Sequence, residues 1–192
     1  METLLATGIG VGLSSIAGVR AYLPLALVGL FARLGLFELA APFDLLGDGL
    51  VIGVLLVLAI LESALDKIPA LDPTLDFAQT PVRIAAGAVL FSAALETGLN
   101  AGAVPGLAAG AGIAGLVAVL KAVLRPPAQA SAAGVSTPFL SFFEDVVAIV
   151  GGVVAVLVPV LPLALVAFLL FFFFRVRRRR GRKYEGLRIL GG

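Results

Sequence analysis

Residues 140–183 read LSFFEDVVAIVGGVVAVLVPVLPLALVAFLLFFFFRVRRRRGRK. As one helix, the apolar part, 140–174, would be on the order of 50 Å long, against a bilayer hydrocarbon core of about 30 Å. It is too long for one ordinary crossing. Pro159 and Pro162 lie in its middle, so the stretch divides into two short spans joined by a tight turn at Val158–Pro162. Arg175, Arg177, Arg178, Arg179, Arg180, Arg182 and Lys183 follow Phe171–Phe174, where a stop-transfer sequence places cations on the cytoplasmic side.

The rest of the chain has the same character. Of 192 residues, 60% are hydrophobic and only 14% charged, and the mean hydropathy is +1.13. A soluble domain of this length is nearer half apolar and a quarter charged. The composition is that of a membrane protein. Absence of Cys, His and Trp removes disulfides, thiolate or imidazole metal ligands, a cysteine nucleophile and any histidine base. Carboxylates, amines and hydroxyls remain, and no cofactor is expected. No Gly-x-Ser-x-Gly occurs, and Gly8-Ile-Gly-Val-Gly12 lacks the spacing and preceding strand of a nucleotide fingerprint.

The net charge of +2 is uneven: residues 175–192 carry eight Lys/Arg against Glu185, which leaves 1–174 acidic. The expected organisation is a single transmembrane helical domain, 1–174, and a basic cytoplasmic tail, 175–192. The tail's expected partner is anionic lipid headgroups rather than nucleic acid. Glu2 stands where the positive region of a signal peptide would be, so the mature chain is expected to begin at Met1.

Gly49–Leu65, Ile84–Leu99 and Leu107–Leu124 each read as one span. Thr3–Arg33, interrupted by Gly18, Arg20 and Pro24, reads as one discontinuous span whose first half re-enters or lies at the interface. The fold class is therefore an all-α polytopic transmembrane bundle of about six spans, or five if 140–174 is one kinked helix. Six spans with the tail inside put the 66–83 and 125–139 loops, with Lys67, Arg83, Lys121 and Arg125, on the cytoplasmic side. Both termini are then cytoplasmic, in an inner or plasma membrane.

An internal repeat is expected across the middle of the chain. One span ends in Glu62 and Asp66, four apart on one helix face, and leads through a loop to Thr80-Pro81. The next such unit ends in Lys121 and Arg125 and leads to Thr137-Pro138. Thr-Pro is a helix-start pattern. Gly8/Gly12 and Gly106/Gly110 have the spacing of close helix packing or dimerisation faces, and a homo-oligomer is expected.

Ionisable side chains within spans are costly and mark a pathway or a partner. Arg20, Glu62, Lys121, Glu144 and Asp145 qualify, as does Glu96, which reads as a snorkelling residue near a span end. With Asp66, Lys67, Arg83 and Arg125 at the loop-side ends, they form the candidate substrate- or ion-binding set. Two readings stand for them. Glu62 and Asp66 bind a cation or proton, or they form salt bridges with Lys121 or Arg125 that only tie helices together. Asp66, Asp72 and Asp76 are hard donors without EF-hand spacing, and read as solvated loop acids.

The order Gly18-Val-Arg20-Ala-Tyr22-Leu-Pro24, Glu62-x-x-x-Asp66-Lys67-Ile-Pro69, Gln79-Thr-x-x-Arg83-x-x-Ala-Gly87, Lys121-x-x-x-Arg125-Pro126, Pro138 and Glu144-Asp145 resembles the domain-of-unknown-function family 4126. The resemblance runs through nearly the whole chain before the basic tail, and Asp-Lys-Ile-Pro is its most specific part. It departs at Thr137, where the family pattern has Asn. It implies a small polytopic membrane protein and no particular activity. From the residues, the expected function is a small transporter or channel for an ion or small charged solute. The alternatives are a membrane scaffold, or an enzyme or flippase acting on a lipid phosphate through Arg20, Lys67, Arg83 and Arg125.

Overall fold

The computed structural model describes residues 2–67, 72–99, 103–124, 137–172 and 175. They form α1 (Glu2–Ala17), α2 (Tyr22–Arg33), α3 (Gly49–Leu65), α4 (Asp72–Leu99), α5 (Ala103–Leu124), α6 (Thr137–Leu157) and α7 (Val160–Phe172), with a 3-10 turn at Phe43–Gly47. No strand occurs among the described residues.

The bundle is apolar outside and small or charged inside. Leucine, valine, isoleucine and phenylalanine cover the outward faces of α3, α5 and α7, whereas Arg20, Arg83 and Asp66 are among the largest fully buried side chains. Lipid tails reward apolar surface no less than a core does, so tight helix contacts fall to small residues. Gly8 lies against the Pro159 carbonyl, Gly12 against Ala155, and Gly110 against Gly87 and Phe91. Both expected glycine pairs thus serve packing within the chain.

α1 is the central helix, with its Gly, Ala and Ser faces against α4, α5 and α6. Its neighbours fix its direction. Gly10 meets Phe91 and Ser14 Oγ donates to the Gly87 carbonyl at 2.9 Å, while Gly18 meets Ala114 and Val117. α1 is therefore antiparallel to α4 and parallel to α5. α2 runs back beside α3, with Tyr22 near Glu62, Gly29 on Ile52 and Arg33 on Gly49. The expected discontinuous span is broken between Ala17 and Tyr22 as read, but its halves form an antiparallel hairpin instead of one crossing. Glu2 consequently lines a cavity with Thr97 and Leu157, at the end of the bundle opposite Lys67. That does not fit the expectation of an N-terminus on the same side as Lys67 and the 66–83 loop.

Ala78–Thr97 of α4 and Val104–Val123 of α5 are long and apolar enough to cross a membrane, and the pair Ser141–Leu157 and Val160–Phe172, bent by 110°, would count as a third span. α1, α2 and α3 are shorter apolar helices. α3 has the expected bounds and is capped by Asp48, whose side chain accepts from Leu50 N and Val51 N. The expected turn at Val158–Pro162 falls at Val158–Pro159, with Pro162 in the first turn of α7, where a missing N–H costs nothing. Thr80-Pro81 does not begin a helix: α4 starts at Asp72, followed by Pro73, and continues through Pro81. Proline is tolerated inside membrane helices where neighbouring groups satisfy the freed carbonyl. The connection after Lys67 is correspondingly shorter than the expected 66–83 loop, and the two proposed repeat units differ at this point. Thr137 does begin α6.

Candidate functional site

Breaking a helix inside a bundle strands the carbonyls of one half and the amides of the other. At the α1–α2 break, each set is met by a charge of the appropriate sign. Lys121 Nζ of α5 donates to the Val19 carbonyl at 3.2 Å. Glu62 of α3 accepts from Ala21 N at 3.2 Å and Tyr22 N at 3.4 Å, an anion at the positive end of α2.

Arg20 lies in the break itself and is almost wholly buried. Its Nη1 donates to Asp66 Oδ2, one turn beyond Glu62. Its Nη2 donates to Ser141 Oγ at 2.9 Å and the Ser141 carbonyl at 3.2 Å, and sits 3.0 Å from Asp145 Oδ1 and 3.8 Å from Glu144 Oε2. Lys121 Nζ pairs with Glu144 Oε2 at 2.8 Å. Arg83 Nη2 of α4 donates to Gln79 Oε1 at 2.7 Å and lies 3.8 Å from Glu62 Oε1. At the rim, Lys67 Nζ donates to Ser63 Oγ at 2.6 Å and reaches Asp145 Oδ2 at 3.4 Å, to which Ser63 Oγ also donates at 2.5 Å.

Arg20, Glu62, Asp66, Lys67, Arg83, Lys121, Glu144 and Asp145 therefore meet in one cluster fed by four helices and the break, with cations and carboxylates equal in number. Arg125, the ninth residue of the expected set, lies outside the described residues, as do Pro69, Pro126 and the basic run after Arg175. Asp66 takes Arg20 and Lys121 takes Glu144 of α6, whereas the anticipated pairing of Glu62 or Asp66 with Arg125 lies outside the described residues. Asp66 is a buried partner rather than a solvated loop acid. The side chains of Asp72 and Asp76 lie outside the description, and among the described residues no group of three or more acids gathers to hold a metal ion. Glu96 lies part-exposed towards the far end of α4.

Ser63, Gln79 and Ser141 bridge the charges and are absent from the candidate set drawn from the sequence. Helix spacing could have found them. Gln79 precedes Arg83 by four, Ser141 precedes Asp145 by four and Ser63 precedes Lys67 by four, so each shares a face with its ionic neighbour.

Two cavities flank this centre. One, of about 690 Å³, opens at the Glu2 end between α1, α2, α4 and α6, with Leu13, Val28 and Leu90 deepest along their helices. The other, of about 400 Å³, lies between α2, α3 and α6 and reaches the cluster at Arg20, Glu62, Lys67 and Asp145. Inward of Leu13, Val28 and Leu90 lie buried Ile16, Ala17, Ala86 and Ala148, with Leu25 and Val82 packed against them, and then Arg20, Arg83 and Asp145. The layer between vestibule and charges is thus apolar and closely packed.

Over residues 7–179 the chain matches the model of the family described as Domain of unknown function (DUF4126), and it belongs to that family. Comparison with curated proteins and with solved structures gives no match.

Proposed function

We propose, for this member of a family without an assigned activity, that the chain is a small membrane carrier for an ion or small charged solute. The observation that carries the reading is the three-tier order repeated on α1, α4 and α6 and begun on α2. An open vestibule is followed by a packed apolar layer, and that by a closed, charge-balanced cluster at a helix break. Broken helices with charged groups at their ends are how carriers build sites that can open and close. Here the vestibule is the entry and the cluster is the inner gate. A solute carrying charge competes for Glu62, Asp66 or Arg20 and loosens the contacts that hold α1, α3 and α6 together.

The proposed orientation follows from the cations. The end bearing Lys67, Arg83 and Lys121 faces the cytoplasm, and the Glu2 end faces the opposite side. α7 then leads back towards the cytoplasm, where the basic tail binds anionic headgroups of the cell membrane. Further copies of the chain would assemble through faces other than the two glycine pairs.

A second reading is favoured by one observation: the cluster's charges are all matched within the chain, and Glu62 and Lys121 satisfy stranded backbone. On that reading the charges tie the bundle and nothing passes. Charge movement across proteoliposomes of the purified chain, scanned over protons, common cations and anions, separates the two. A current in the wild type that Glu62→Gln abolishes, with the helical content intact, is expected of the carrier. Well-folded protein with no flux of any tested solute supports the tie.

A further inference from the structure

The smaller cavity has a composition of its own, and nothing in the carrier reading uses it. It is a lateral cleft between α2, α3 and α6, about 400 Å³ in volume. Along α3 its lining passes from Leu56, Ala59 and Ile60 to Glu62, Ser63 and Lys67. Along α6 Ile149 stands one turn beyond Asp145, and on α2 Leu23 stands one turn beyond Arg20. All three helices therefore place apolar residues towards mid-bilayer and polar ones towards the end of the bundle. Leu56, Ile60 and Ile149 are exposed, so the cleft is open sideways, where a bilayer would supply its occupant.

The polar floor narrows the choice of occupant. Arg20 and Glu62 are spent within the cluster, with side chains 2% and 1% exposed, whereas those of Lys67 and Asp145 are 40% and 21% exposed. The reachable charges are thus one ammonium and one carboxylate, held 3.4 Å apart, with Ser63 between them. A headgroup with a net negative charge gains Lys67 but meets the Asp145 carboxylate. A choline headgroup has no N–H to donate. A phosphate linked to a primary ammonium answers both charges: the phosphate replaces the 3.4 Å contact at Lys67 Nζ, and the ammonium donates to the remaining lone pairs of Asp145.

We propose that this cleft binds one phospholipid of the ethanolamine type, its phosphate on Lys67, its ammonium on Asp145 and its acyl chains along Leu56, Ile60 and Ile149. The site stands whether or not the chain transports a solute. It is tested by native mass spectrometry of the full-length protein in mild detergent, with phosphatidylethanolamine, phosphatidylcholine and phosphatidylglycerol of the same acyl chains supplied in equal amounts, and free phosphoethanolamine separately. Phosphatidylethanolamine should be retained selectively, and Lys67→Gln should lower that retention about tenfold, the worth of one charge-assisted hydrogen bond. Ile60→Trp, which fills the apolar wall from an exposed position without touching the cluster, should lower it as well, whereas Leu120→Trp on the outer face of α5 should not. Equal retention of the three lipids, undiminished retention in Ile60→Trp, or equal binding of free phosphoethanolamine would overturn the proposal.

Discussion

Arg20 is the residue on which the structure turns. It sits between two apolar runs, where its charge would be expensive unless matched, and it is matched by Asp66, Ser141 and Asp145 from two other helices. Removing one partner of such a buried pair leaves the other uncompensated, at a cost of about 3–5 kcal/mol. Asp66→Ala should therefore destabilise the protein strongly, and adding Arg20→Met should recover much of the loss. A double-mutant cycle of unfolding in detergent reads this directly; additive losses would mean that the two side chains do not act as a pair. That Arg20 is special is legible in the sequence, because a cation beside Gly18 and Pro24 inside an apolar stretch has few alternatives. Its partner is not, since Asp66 is near in neither sequence nor helical phase.

At the scale of elements, the consequential feature is the α1–α2 hairpin. Its direction follows from contacts such as Gly10 on Phe91 and Gly29 on Ile52, which are long-range and leave no local trace in the sequence. Composition announces a break near Arg20, but a break alone does not distinguish a kinked crossing from a reversal. Thr80-Pro81 misleads for a related reason. The pattern is a true helix-start signal, yet Asp72-Pro73 provides an earlier one and α4 carries Pro81 in its interior. Where length and proline act locally, as in the bend between α6 and α7, the sequence reading and the structure coincide. The chain has no cysteine, so single introduced cysteines are unambiguous reporters. In sealed, oriented membranes, Thr3→Cys and Ala40→Cys should react with an impermeant maleimide from the same side, and Ala78→Cys from the other. Labelling of Thr3→Cys and Ala78→Cys from one side would refute the hairpin.

For the whole molecule, the arrangement is a layered column about α1, vestibule to packed apolar layer to charge. The set of charged residues could be drawn up from the sequence because charges are rare in this chain, so nearly every one within the apolar stretches has a structural address. The column itself could not, because alanine and leucine are too common here for position to carry meaning. On the carrier proposal, this apolar layer separates two compartments that the cluster can connect. The most direct measurement is the accessibility of Ala17→Cys, placed in that layer, to a small impermeant thiol reagent applied from each side. The carrier proposal predicts slow labelling from the vestibule side in the otherwise unaltered protein. It predicts labelling from the charged side once Lys121→Gln removes the ammonium that holds Glu144 and the Val19 carbonyl together. A folded Ala17→Cys protein that resists the reagent from both sides, with and without Lys121→Gln, would contradict it and leave the charges as ties alone.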